Sequence, residues 1–157
     1  MHAIALPNPG PTLLERISKI ALKLLVGPLL MALTLETNAR NALGDALDDL
    51  INTGTGTSNL KFETSGDVEV ATIDFQNPAF GAWSTGVGTL QGVPLTDASA
   101  TGGTIAQFSI YNRAGTKVLE GTVTAGGGGG DIEITSLSVT ATESVELTSL
   151  TITVPAS

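Results

Sequence analysis

The chain has 157 residues, of which 41% are hydrophobic and only 14% charged, with a formal net charge of −8, one histidine and no cysteine. Without cysteine there are no disulfides and no thiolate ligands, and His2 alone cannot supply the parts of a Ser-His-Asp triad or of most zinc sites. Beyond residue 30 the only basic side chains are Arg40, Lys61, Arg113 and Lys117. They are scattered, so the clustered cations that neutralise nucleic-acid phosphates are missing. A low share of charge is common where partners cover much of a surface. The 19 glycines, with abundant Thr and Ser, favour tight turns and strands. Lack of cysteine suits synthesis in a reducing cytoplasm.

Residues 1–30 read as an extension. Met1–Gly10 is Pro/Gly-rich and is expected to be disordered. Thr12 to Glu15 has the form of a capping box. Leu13, Leu14, Ile17, Ile20, Ala21, Leu24 and Leu25 then recur at helical spacing, and Gly27-Pro28 stops or kinks that helix. The charge-free run from Leu24 to Leu35 is shorter than the about 20 apolar residues a membrane span needs. Read as a signal peptide, the same run has Lys19 and Lys23 as its basic flank, but cleavage after Ala39 would cut into the next helix. The favoured reading makes Met31 the start, with residues 1–30 upstream of it. The plainer alternative is a short amphipathic helix covering an apolar patch of its own domain or of a neighbour.

Residues 31–54 carry the strongest periodic signal. Ala39, Ala42, Leu43, Ala46, Leu47, Leu50 and Ile51 fall on one stripe, which predicts a helix from Thr34 to Asn52. Thr34 or Thr37 is expected to cap its start, and Asn52-Thr53-Gly54 to stop it. The small residues allow another backbone to approach closely, whether a packed sheet or a symmetry-related helix. Asp45, Asp48 and Asp49 are expected on the outward side as a solvated face. A calcium loop draws its oxygens from bent backbone, not from a regular helix.

Residues 55–157 read as seven or eight short strands packed with the helix as one domain. Thr55–Ser58 is a linker. Leu60 and Phe62 alternate with Lys61 and Glu63. The phase change between Val68/Val70 and Ala71/Ile73/Phe75 implies a bulge or a strand that switches partners. Asn77-Pro78 is a turn. Ala106, Phe108 and Ile110 lead through Asn112–Gly115 into Lys117–Val123, the clearest hairpin. Ile132, Ile134, Leu137, Val139 and Ala141 follow. A second bulge is expected between Val145/Leu147 and Leu150/Ile152/Val154. The pattern predicts a mainly β fold: an antiparallel, jelly-roll-like sandwich preceded by one or two amphipathic helices. Phe62, Phe75, Phe108, Ile110, Ile134 and Ile152 are the expected core. Phe80 and Trp83 fit either the core or an exposed recognition edge, with the core favoured.

Gly126–Gly130 followed by Asp131 resembles one copy of a calcium-binding nonapeptide. It lacks the apolar residue at position 133 and lacks stacked copies, so a mobile hairpin tip is expected. No Gly-Lys-Ser/Thr follows, which excludes a phosphate loop. Glu63, Asp67, Glu69 and Asp74 could converge as hydrolytic carboxylates, but one Trp and one Tyr are few aromatics for a sugar cleft.

Four stretches in order carry a family resemblance: LTLETNARNALGDALDDLINTGTG, VATIDFQNPAFGAWSTGV, FSIYNRAGTKVLEGTV and VELTSLTITVPA. From Met31 to Ser157 the chain resembles small virion proteins of tailed bacteriophages, of the head-decoration or head–tail collar type. The resemblance implies a structural, non-enzymatic role on the particle after synthesis in the host cytoplasm. It implies other capsid or head–tail subunits as partners and no catalytic residue, metal or cofactor. Decoration proteins often act as trimers, which makes a homotrimer the first expectation. Neither nucleic acid nor membrane is expected as a partner. Leu43, Leu47, Leu50, Phe80, Trp83 and Tyr111 are the candidate interaction surface. The alternative is a carbohydrate-binding or adhesin-like module in which exposed Trp83 and Tyr111 rings stack on sugars.

Overall fold

The computed structural model describes residues 34–156. The expected start at Met31 and the helix expected within residues 1–30 lie outside the described residues. Those described form a mainly β fold with one helix, α1 (Thr37–Ile51). The strands are β1 (Asn59–Glu63), β2 (Glu69–Asp74), β3 (Val87–Thr89), β4 (Leu95–Asp97), β5 (Gly103–Thr104) and β6 (Gln107–Tyr111). They continue with β7 (Lys117–Ala125), β8 (Ile132–Ile134), β9 (Ser138–Val139), β10 (Val145–Leu147) and β11 (Thr151–Thr153). Five of them make a sheet in the order β2-β1-β6-β7-β8, and the rest pair as β10-β4, β11-β3 and β5-β9. Eleven strands replace the expected seven or eight, because several have only two or three residues and lack a readable alternation.

Glu36 is the N-cap of α1, in extended conformation, and its side chain makes no capping hydrogen bond. The expected caps Thr34 and Thr37 are not used; Thr37 is already helical. The stop falls where expected. Asn52 Nδ2 donates to the Asp48 carbonyl at 2.8 Å, and Thr53 Oγ1 donates to that of Asp49 at 2.9 Å. Gly54 then turns the chain at φ +116°, close against the Arg113–Ala114 backbone. The following stretch is not a free linker, since Gly56 N–H donates to Arg113 O and Ser58 is buried.

In the main sheet β1 pairs antiparallel with β2 and β6, setting Leu60 against Ile73 and Ile110, and Phe62 against Ala71 and Phe108. The register shifts at Phe62/Glu63, where Glu63 pairs with Glu69 and Val70 is the extra residue. Val70 and Ala71 can therefore both be buried. The β6–β7 hairpin closes as expected: Asn112 Oδ1 accepts the N–H groups of Ala114 and Thr116, and Gly115 takes φ +78°.

Two features differ from expectation. β7 and β8 run parallel, with Val123 beside Ile132 and Ala125 beside Ile134. Gly126–Gly130 is thus a short crossover and not a hairpin tip. Its loop is tied down: Glu133 accepts the N–H groups of Gly127 and Gly129, and Thr124 Oγ1 accepts that of Gly130. The phase change after Leu147 is also no bulge. β10 pairs with β4 and β11 with β3, so the chain changes partner strand there.

The core joins Ile51 of α1 to Leu60, Phe62, Val70, Ile73, Phe75, Phe80, Leu90, Ile105, Ile110, Val123 and Leu147. Of the expected core residues, Phe62, Phe75 and Ile110 are buried, whereas Phe108, Ile134 and Ile152 are partly buried against it. Phe108 and Ile152 line one surface depression, and Ile134 lines another.

Candidate interaction surface

The inner face of α1 is set by contacts that its apolar stripe does not announce. Gly44 is buried against the Trp83 ring, and Gly88 of β3 closes on the same ring; a Cβ on either glycine would collide with it. Trp83 lies 6.1 Å from Phe80 between ring centroids, and Phe80 packs edge-on against Phe75 at 6.2 Å. Two polar side chains of α1 and that of its C-cap, Asn52, receive backbone N–H groups from residues 79–86. Asn41 Oδ1 accepts from Gly86 at 2.8 Å, Asp48 Oδ1 from Phe80 at 3.1 Å and Asn52 Oδ1 from Ala79 at 3.0 Å. These positions, spaced by seven and four, share a face with Gly44 and Ile51. Buried backbone donors need acceptors, so polar residues face inward here.

Asp48 is therefore not part of the solvated face expected of it; Asp45 and Asp49 are exposed as expected. Burial pushes the Asp48 carboxyl above its ordinary value, partly offset by the Phe80 N–H.

Because α1 docks through this glycine and amide face, most of its apolar stripe points outward. Ile51 is buried and Leu47 is half-buried against the core. Ala39, Ala42, Leu43, Ala46 and Leu50 are exposed, Leu43 by 51% and Leu50 by 49%. Ala39, Leu43, Ala46 and Leu50 follow the 4-3-4 spacing of a helix-packing seam.

The six candidate residues do not form one surface. Leu43 and Leu50 lie on the outer face of α1, with Leu47 at its margin. Phe80 and Trp83 are interior, at 1% and 6% exposure. Their placement corrects the option of an exposed edge, because the Gly44 and Gly88 gaps admit the indole. Tyr111 is half-buried on β6 with Lys61 Nζ 5.5 Å over its ring. An exposed Trp83–Tyr111 pair for stacking on sugars is not present.

The four acidic residues considered as hydrolytic carboxylates take separate partners. Glu63 is buried and accepts from Ser109 Oγ at 2.7 Å and Tyr111 Oη at 3.3 Å. Glu69 pairs with Lys61 at 2.6 Å, Asp67 accepts from Gln107, and exposed Asp74 sits at the far end of β2 opposite Asn59. Sequence reading missed a cavity of about 360 Å³ between β8 and β10. Phe62, Ile105, Ile132, Ile134 and Leu147 give it an apolar lining, and hydroxyls and Glu133, Glu143 and Glu146 contribute polar groups. The alternation of Ile132 and Ile134 marks a strand with one apolar face and carries no sign of a cavity. Among the described residues, no group of three or more His, Asp or Glu side chains is placed to hold a metal ion, and no helix is long and apolar enough to cross a membrane.

Comparison of the chain with protein-family models, with curated proteins and with solved structures finds no match.

Proposed function

We propose that the protein is a non-enzymatic structural component of a tailed-bacteriophage virion, decorating the head or sitting at the head–tail collar. One observation carries the reading: α1 turns Leu43, Leu50 and three alanines outward while Gly44, Asn41 and Asp48 face in. Burying such an apolar face against a partner is favourable, which suits it to association. The low share of charge and the four stretches resembling small virion proteins point the same way. In this reading the main sheet and its two-stranded neighbours make a jelly-roll-like sandwich. The bond from Thr72 N–H on the outer edge of β2 to Asp97 Oδ2 in β4, at 2.9 Å, ties one of these pairs beside the main sheet. Partners are other capsid or head–tail subunits, and a homotrimer is the favoured assembly.

Mass spectrometry of purified particles tests the proposal. The chain should appear at a fixed ratio to the major capsid or collar protein and survive repeated banding. Its absence from particles made in cells that express it would end the reading.

A further inference from the structure

We infer that the occupant of α1's outer face is a basic amphipathic helix of a partner protein. This inference rests on the reading of that face as an assembly surface and adds the chemistry of what it takes. Leu43 and Leu50, with Ala39 and Ala46 between and beside them, make a seam of large and small residues along the helix. A helix carrying leucines at the matching spacing fits knobs against the alanines.

Charge selects among such helices. Asp45 and Asp49 border one side of the seam and Glu36 the other, and all three are exposed. The only basic residue of α1, Arg40, turns inward beside Gly86. Residues 34–156 together hold fourteen carboxylates and four basic side chains, a formal −10. The α1 of a second copy would bring the same acids against these and be repelled. A partner with Lys or Arg flanking its apolar seam pairs with them. One face of a 15-residue helix is about 22 Å long and offers only about 200–300 Å², well under the roughly 800 Å² per partner of a standard interface. Each contact is therefore weak, and repetition over many copies on a particle supplies the holding strength.

The test uses the full chain and two labelled helical peptides with an identical Leu/Ala seam, one flanked by Lys and one by Glu. Fluorescence anisotropy reads binding at low and at moderate salt. The Lys-flanked peptide should bind saturably and at least about tenfold tighter than the Glu-flanked one, and the gap should shrink as salt screens the charges. L43S/L50S, both at exposed positions, should lose the binding about tenfold or more while far-UV circular dichroism stays unchanged. Equal binding of both peptides, no binding of the Lys-flanked one, or binding indifferent to L43S/L50S would overturn the inference. So would self-association of the free chain that L43S/L50S abolishes, which would assign the face to a second copy. Particles that contain the chain although the Lys-flanked peptide fails would sink this inference and leave the virion role standing. Binding of that peptide by a chain missing from particles would do the reverse.

Discussion

Replacing Gly44 by alanine tests the orientation of α1. Intrinsic helix propensity alone makes the change stabilising by about 1 kcal/mol. Here the added methyl enters the Trp83 ring, which cannot retreat because Gly88 already lies against its other atoms. Trp83 is 6% exposed, so the strain cannot be relieved by swinging the ring into water. Overpacking costs about 1–3 kcal/mol, and a methyl driven into ring carbons belongs in the upper half of that range, so G44A should lower stability by about 1–2 kcal/mol net. That corresponds to a fall in Tm of roughly 3–8 °C for a chain of this size. Urea unfolding followed by far-UV circular dichroism measures it. In a W83A background, itself destabilised by about 3–5 kcal/mol, the ring is gone and G44A should turn neutral or stabilising. An unchanged or raised stability of G44A in the wild-type background would mean that the helix does not dock through its glycine face.

Other substitutions read the same geometry. Exposed L43A and L50A should each change stability by no more than about 0.5 kcal/mol, whereas I51A, fully buried on the same helix, should cost about 2–5 kcal/mol in the same urea titration. S109A removes a donor from buried Glu63 and should cost about 1–3 kcal/mol; thermal melts check it, and a neutral result would place that carboxylate in water. Glu133 is held below its ordinary value by the N–H groups of Gly127 and then Gly129, and Asp131 by the backbone N–H and then the hydroxyl of Thr122. Their folded pKa values are depressed, so the stabilisation they give is present above the ordinary carboxylate range and is lost as pH falls through the folded values. Hydrogen exchange at Gly127 and Gly129 should then speed up on acidification, after correction for intrinsic rates, and E133A should show fast exchange already at neutral pH. Asp48 has the opposite sign: burial raises its value, so the folded state loses stability as pH rises from the ordinary aspartate value through the raised one. D48N keeps the acceptor for Phe80 N–H and should flatten that part of the pH–stability curve.

Local chemistry was legible in the sequence wherever it determined the structure. The hairpin from Gln107 to Ala125 follows from alternation around an Asn112–Gly115 turn, and the bulge at Val70 follows from a break in parity. The end of α1 at Asn52–Gly54 is equally local. Partner choice was not legible. Alternation places Ile132 and Ile134 on one face of a strand but is silent on whether β7 lies parallel or antiparallel beside it. Nor does parity distinguish a bulge from the change of partner between Leu147 and Thr151. The helix is the clearest case. Its apolar stripe was readable, yet which side faces in depends on the Trp83 ring 39 positions away and on the backbone donors of residues 79–86. The one hint lay in Gly44, a poor helix former in the middle of a strong helix, in line with Asp48 and Asn52. Tyr111 on β6 and Trp83 between β2 and β3 share a residue type but not a surface, because Trp83 is buried against Gly44 and Gly88.

Site-directed photo-crosslinking on assembled particles tests most directly whether α1's outer face is where this protein meets its partners. A crosslinking side chain at position 43 should capture a neighbouring virion subunit in high yield, while one at exposed position 74 on β2 should give little. Equal yields at both positions, or no capture from position 43 in particles that hold the chain, would contradict the account.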